Sequence, residues 1–347
     1  MMGAVGSTAA IGPEGGVDGL DAIMRRGGDG LRARMARTEL HLERVTAQAG
    51  APLATFANAT IVAGGKRLRP LLVVLAAESA GGPPETDDGE ERLVRAAVAV
   101  ELVHSATLVH DDLIDGAQLR RGHPTVATVA GRQVAIATGD LLFSRAFAEL
   151  ALNDDADQLS ALSDASSALA AGELLQREDA YAAHVAVERY LRRCELKTAA
   201  LFEAACRLGA LTAIEASAAL ADALGAFARR IGLAFQMLDD VLDVSGPVER
   251  TGKARGTDLL DGTVTLPFIL ARERDRELAT LDLARLGGPR QAEELCERIA
   301  ATGALDEARE RALAVVAEAK AALPTVLPDG RAALLDLVAD SVVERYR

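Results

Sequence analysis

Apolar residues recur at the three-to-four spacing of a helix face almost without interruption from about residue 31 to residue 347. No stretch sustains the strict alternation of a half-buried strand. The pattern predicts an all-α chain. Gly81-Gly82-Pro83-Pro84 through Gly89 reads as a loop, and residues 91–114 follow as one long helix. Residues 116–124 form the next break, and helices are expected over 134–152, 159–177, 185–211 and 216–244. A loop with four glycines covers 245–265, and shorter helices fill the remainder, punctuated at Gly287-Gly288-Pro289 and over 324–330. No break has a linker composition long enough to separate domains, so residues 31–347 read as a single helical domain behind a flexible Gly- and Ala-rich leader over 1–30.

Composition narrows the picture. Half of the residues are hydrophobic but only 3% are aromatic and none is Trp, so Ala, Leu and Val must do the packing. A net charge of −13 argues against a nucleic-acid partner, which needs a basic footprint. Cys194, Cys206 and Cys296 are odd in number and widely spaced, as suits reduced thiols rather than a disulfide framework or zinc site. The longest strongly apolar run, residues 71–77, is too short to cross a bilayer, and the leader lacks the basic and apolar regions of a signal peptide. The expected location is cytoplasmic.

The chemistry concentrates in two copies of one pattern, Asp111-Asp112-Leu113-Ile114-Asp115 and Asp239-Asp240-Val241-Leu242-Asp243. In each, the first and last carboxylates lie one turn apart on one helix face, with the middle one about 100° round. Like charges stacked this way need a cation, and hard divalent ions with oxygen ligands answer that need. Solvated acidic faces are the bland alternative, but both groups end long apolar helices rather than acidic tails. Each is followed by a Gly-containing loop, which suggests two helices facing each other across a cavity. Cations accompany them: Gly64-Gly65-Lys66-Arg67-Leu68-Arg69-Pro70, Arg120-Arg121, Lys197 and Lys253. Any one alone reads as a surface ion-pair partner; together, flanking two aspartate groups, they suggest a site for diphosphate and metal.

The chain resembles the trans-isoprenyl diphosphate synthases (polyprenyl synthetases), most closely the bacterial long-chain members. The resemblance runs from about residue 40 onward. Its carriers are GGKRLRP at 64–70, LVHDDLIDGAQLRRGHPT at 108–125, GD at 139–140, AGELLQ at 171–176, KTAALFEAA at 197–205, FQMLDDVLDVSG at 235–246 and GKARGTDLLDGTVTLP at 252–267. It implies an isoprenoid-synthase-type helical bundle around a deep central cavity, usually homodimeric. The implied reaction is Mg²⁺-dependent head-to-tail (1′-4) condensation of isopentenyl diphosphate with an allylic diphosphate such as farnesyl or geranylgeranyl diphosphate. By the same resemblance, Asp111, Asp115 and Asp239 are direct ligands of Mg²⁺, three ions per site, and Asp112, Asp240 and Asp243 complete the metal-binding set. Arg120, Lys197 and Lys253 match the allylic diphosphate site, and Lys66, Arg69, His104 and Arg121 the isopentenyl diphosphate site. Thr198 and Gln236 match groups whose oxygens face the developing allylic cation. One departure is Thr263, where family members commonly carry Lys.

Product length is read from the helix below the first aspartate group. Ala106 and Thr107, five and four positions before Asp111, are small where short-chain members place a bulky aromatic, and Val103 and Ala99 are not aromatic either. The pattern points to products of about C30 to C50, with a short-chain farnesyl or geranylgeranyl diphosphate synthase as the alternative. Phe143 or Phe147 could supply a floor from another helix. A class I terpene cyclase would lack a true second aspartate group and GGKRLRP, and a head-to-head synthase would carry different Asp patterns and basic loops. A non-catalytic partner subunit would usually have lost aspartates that are all present here.

Overall fold

The computed structural model describes residues 17–48, 50–182, 184–246, 255–323, 327 and 330–344. Helix starts follow local chemistry. Thr86 caps α4 (Asp87–Ile114) by accepting from Gly89 N–H, and Asp87, Asp88 and Glu90 complement the positive end of that helix. Asp155 caps α7 (Ala156–Asp179) and Ser217 caps α10 (Ala218–Ser245) in the same way. Between them lie α5 (Val126–Ala130), α6 (Arg132–Ala151), α8 (Val187–Cys194) and α9 (Ala200–Leu211). Ahead of α4 come α1 (Val17–Ala47), α2 (Leu53–Val62) and α3 (Leu68–Ser79). Beyond α10 are α11 (Thr257–Leu260), α12 (Leu266–Arg274), α13 (Arg276–Ala279), α14 (Pro289–Ala301), α15 (Ala304–Ala322) and α16 (Ala333–Glu344). The fold is all-α; the described strands are two residues each, Leu119–Arg120 and His123–Pro124, paired antiparallel.

Helix α4 packs on α6 and α3, while α9 lies between α3 and α10, and α15 covers the far side of α10. The core is built from Leu, Val and Ala, as the scarcity of aromatics requires. Helix α4 is the one described helix long and apolar enough to cross a membrane, and 72% of that apolar window is buried inside the fold.

Three local expectations change. Residues 17–30, expected to be flexible, are helical; Ile23 and Leu31 are fully buried, and α1 packs against α16. Gly28 takes a positive φ of 71° and a non-helical ψ of −161°, a kink that joins two helical segments of α1. The expected loop over 245–265 contains α11. The helix expected over 185–211 is interrupted by a π turn, Glu195–Ala199, which inserts one extra residue per turn between α8 and α9.

That π turn is tightly clasped. A Cβ on Gly172 of α7 would lie 2.5 Å from the backbone nitrogen of Lys197, and one on Gly232 of α10 would lie 2.8 Å from Ala199 Cα. Both neighbours are backbone atoms, which cannot rotate away. Gly172→Ala should therefore cost about 1–3 kcal/mol of stability by overpacking, read by denaturant unfolding. A cost near zero would show that the clasp is looser than the geometry implies.

Candidate active site

The C-terminal end of α4 carries the first aspartate group. Asp112 turns inward, is 6% exposed, and accepts from Arg120 Nε at 2.6 Å. Asp111 and Asp115 stay more open, and Asp115 accepts from Arg177 of α7. Arg120 and Arg121 reach the site from the hairpin, where Arg121 and Gly122 both have positive φ, 52° and 80°, as a two-residue turn demands. Burial pushes Asp111 up to about 6, with Lys197 opposing that shift and Glu173 and Asp115 adding to it. A carboxyl raised in this way by burial and like charge fits a divalent cation, which would favour its ionised form. His110, beside Asp111, packs against Gly139 and lies 3.6 Å from Asp140, which gives the GD motif a place.

The second group at the end of α10 repeats the plan with different partners. Asp240 turns inward and is 4% exposed, accepting from Tyr190 Oη at 2.7 Å and from Gln236 Nε2 at 2.8 Å. Burial, with Asp258 and Asp239 nearby, raises it to about 7. Asp239 and Asp243 are half-buried, and Asp243 accepts from Asp258 N–H at 3.3 Å. In both groups the outer carboxylates are thus the more exposed pair, and the middle one is buried against protein donors.

The π turn joins the two groups. Lys197 donates to Glu173 of α7 and acts electrostatically on Asp111. The next residue, Thr198, donates to Gln236 Oε1 at 2.7 Å and so connects to Asp240. Glu173 also accepts from Arg177, four residues on, so Lys197, Glu173, Arg177 and Asp115 form one chain of ion pairs.

A positive pole adjoins the first group. His104 lies on the α4 face of Asp111, two turns deeper, and is held well below its usual range by burial and by Arg69, Arg121, Arg120 and Arg67. Burial, offset by Glu101 and reinforced by Arg121, lowers Arg69 to about 10. Its guanidinium stands 4.9 Å from the centre of the Phe202 ring, and its buried Nε has no hydrogen-bond partner. Arg121 packs against Gly65. Lys66, Arg69, His104 and Arg121 thus belong to one region, and the orphaned Nε fits an anion's oxygen. Arg67 is different: it donates to Glu39 at 2.6 Å, to buried Glu101 at 2.8 Å and to the Ile61 carbonyl.

Of the other expected residues, Lys253 lies outside the described residues. Thr263 is half-buried and donates its N–H to Asp258 O, while Tyr181 covers the neighbouring Gly262. Thr107 is half-buried with its hydroxyl on the His104 carbonyl, whereas Ala106, Val103 and Ala99 are fully enclosed. Sequence reasoning passed over Glu173, Arg177 and Tyr190. The i, i+4 pairing of the first two was a visible signal. Tyr190 gave none beyond its place two turns before Lys197. Cys194, Cys206 and Cys296 are buried free thiols.

The polyprenyl synthetase family profile matches residues 51–301. The heptaprenyl diphosphate synthase component 2 of Geobacillus stearothermophilus is 40% identical over 247 residues, 71% of this chain and 75% of that one. The geranylgeranyl diphosphate synthase of Methanosarcina mazei is 36% identical over 295 residues, 82% of this chain and 86% of that one. The crystal structure of a polyprenyl synthase from Caulobacter crescentus CB15, complexed with calcium and isoprenyl diphosphate, superposes with a TM-score of 0.85. It shares 35% identity, covering 94% of this chain and 98% of that one. The chain belongs to the polyprenyl synthetase family, the trans-isoprenyl diphosphate synthases, and is a transferase of prenyl groups.

The two neighbouring arginines of GGKRLRP should separate by stability. Arg67→Ala strands buried Glu101 and should cost about 3–5 kcal/mol. Arg69→Ala removes a guanidinium that is itself poorly satisfied and should cost under about 1.5 kcal/mol. Urea unfolding of both variants decides, and equal losses would contradict the different roles.

Proposed function

We propose that this chain catalyses Mg²⁺-dependent head-to-tail (1′-4) condensation of isopentenyl diphosphate with an allylic diphosphate, yielding an all-E polyprenyl diphosphate of about C30 to C50. The observation that carries the reading is the π turn, which points Lys197 toward one aspartate group and Thr198 toward the other. Asp111, Asp115, Asp239 and Asp243, the more exposed carboxylates of each group, are assigned as ligands of three Mg²⁺ ions, which would displace present contacts such as Arg177 on Asp115, and Asp112 and Asp240 brace them from behind. Bound Mg²⁺ would supply Lewis-acid stabilisation of the leaving diphosphate as charge develops on it.

Arg120, Lys197 and Lys253 are assigned to the allylic diphosphate, and Lys66, Arg69, His104 and Arg121 to isopentenyl diphosphate. Breaking the allylic C1–O bond leaves an allylic cation, which the oxygens of Thr198 and Gln236 face. The isopentenyl double bond forms the new C–C bond, and the proton lost from its C2 goes to the released diphosphate. Exclusion of water around the allyl group would keep the cation from being quenched to an alcohol. His104, kept neutral by burial among arginines, can serve isopentenyl diphosphate as a hydrogen-bond donor that adds no charge.

The working unit proposed is a homodimer. A heteromer is the second reading, prompted by the name "component 2" of the Geobacillus relative. Light scattering of the purified chain should give twice 36.2 kDa, and a monomer that gains activity only with a second protein would favour the heteromer.

Metal binding has a readout apart from turnover. The unfolded chain carries Asp111 near its ordinary 3.8, while the fold raises it to about 6. Without metal, that mismatch penalises the fold as pH rises through this window and is complete above it. A divalent cation held by the ionised group removes the penalty, whereas at pH 5 it must first displace a proton. Mg²⁺ should therefore raise Tm by several degrees at pH 7 and by much less at pH 5. Equal shifts would remove Asp111 from the metal site, and near-normal turnover by Asp111→Ala or Asp239→Ala would sink the assignment.

Length should respond at Ala106. With isopentenyl and farnesyl diphosphates, the wild type should give products of about C30 or longer, estimated from the small residues along the helix. Ala106 is fully enclosed, so a ring there must push its packed neighbours into the space below Asp111. Ala106→Phe should shorten products to about C15–C20 and, by overpacking at about 1–3 kcal/mol, lower Tm. A wild type that itself stops at C15 or C20 would refute the long-chain reading and leave the reaction intact.

A further inference from the structure

Four side chains form a relay beneath the second aspartate group. Tyr190, fully buried in α8, donates to one oxygen of Asp240 at 2.7 Å, and the Gln236 amide donates to the other at 2.8 Å. Because its NH₂ is committed to Asp240, Gln236 must turn its carbonyl oxygen to Thr198, whose hydroxyl donates to it at 2.7 Å. Thr198 has then spent its only proton. Everything else that meets this hydroxyl meets lone pairs, the polarity an allylic cation needs and a water-filled site would not fix.

The order of dependence is set by geometry. Gln236 and Asp240 are one turn apart on α10, so their contact alone leaves the Asp240 carboxylate free to rotate. Tyr190 comes from a different helix and is enclosed, so its ring cannot swing away. It supplies the fixed point. The first aspartate group has a different brace, since Asp112 is held by the charged Arg120. At Asp240 the two donors are neutral, and they orient the carboxylate by direction rather than by charge.

We infer that Tyr190 is a positioning residue for prenyl transfer, acting through Asp240 and Gln236 to hold the Thr198 hydroxyl with its lone pairs toward the reacting allyl group. The inference rests on the proposed prenyl transfer and names a residue that never touches substrate.

The test is a double-mutant cycle on the full chain with Mg²⁺, isopentenyl diphosphate and farnesyl diphosphate. Tyr190→Phe keeps the buried ring and removes the donor. It should lower kcat about tenfold or more, the size expected for losing a hydrogen bond to a charged group, with both Michaelis constants within about threefold. Thr198→Val should lower kcat as well. If Tyr190 acts through Thr198, the double variant should fall no more than about threefold below Thr198→Val alone. Losses that multiply, or a Tyr190→Phe effect confined to the Michaelis constants, would overturn the inference while wild-type activity upheld the reaction. A wild type inactive with these substrates would instead overturn the reaction, and the inference with it. Should Tyr190→Phe fail to fold, the same cycle between Gln236→Leu and Thr198→Val tests the link it acts through, and multiplicative losses there overturn the inference equally.

Discussion

One extra backbone residue in a helix organises this site. In an uninterrupted α-helix, adjacent side chains diverge by about 100° and the register is fixed by the packing at either end. The π turn at Glu195–Ala199 re-aims that register locally, so Lys197 meets Glu173 on α7 while Thr198 meets Gln236 on α10. A π turn is poorly stabilised by its own hydrogen bonds and has to be held from outside. Here Gly172 and Gly232 let two helices close on its backbone from opposite sides. Both aspartate groups depend on this clasp for their shared neighbour, although α4 and α10 are separated by α9.

The electrostatics follow from burial acting on both signs of charge. Desolvation raises Asp111 and Asp240 and lowers Arg69 and His104, so at both poles burial works against the charged form. Elsewhere the fold satisfies its ions internally, as Arg67 does with Glu39 and Glu101. The contrast within one heptapeptide is informative: Arg67 is spent on structure, while Arg69, two residues on, keeps an unpaired buried nitrogen. Preorganised charge left uncompensated costs stability and favours ligands that supply the missing sign.

The sequence made the all-α architecture legible because apolar periodicity is sustained through α4, α7 and α10, while the caps Thr86, Asp155 and Ser217 set starts two to four residues from those expected. It also placed the two aspartate groups at helix ends. It could not reveal the π turn, since one inserted residue barely disturbs a 3.6-residue period. Nor could it say which aspartate of each group turns inward, because that depends on Arg120 and Tyr190, which lie elsewhere in the chain. The start of α1 was missed for another reason: Gly27, Gly28 and Gly30 outweigh the scattered apolar residues locally, but contact with α16, distant in sequence, recovers the helix.

The interior below the first aspartate group bears on how a greasy tail is accommodated. Thr107 and His104 keep some exposure on the row of Asp111, while Ala106, Val103 and Ala99 have none. The helix thus presents an open row beside a closed one. Packed interiors resist change because each displaced atom gives up contacts on every side. Alanine and valine have few atoms to displace and little rotamer freedom to lose, so a tail pressing on this row meets a smaller barrier than a phenyl ring would raise. On the proposed reaction, these side chains lie a turn or more below the aspartates, so a change of volume there alters packing without touching the charged rim.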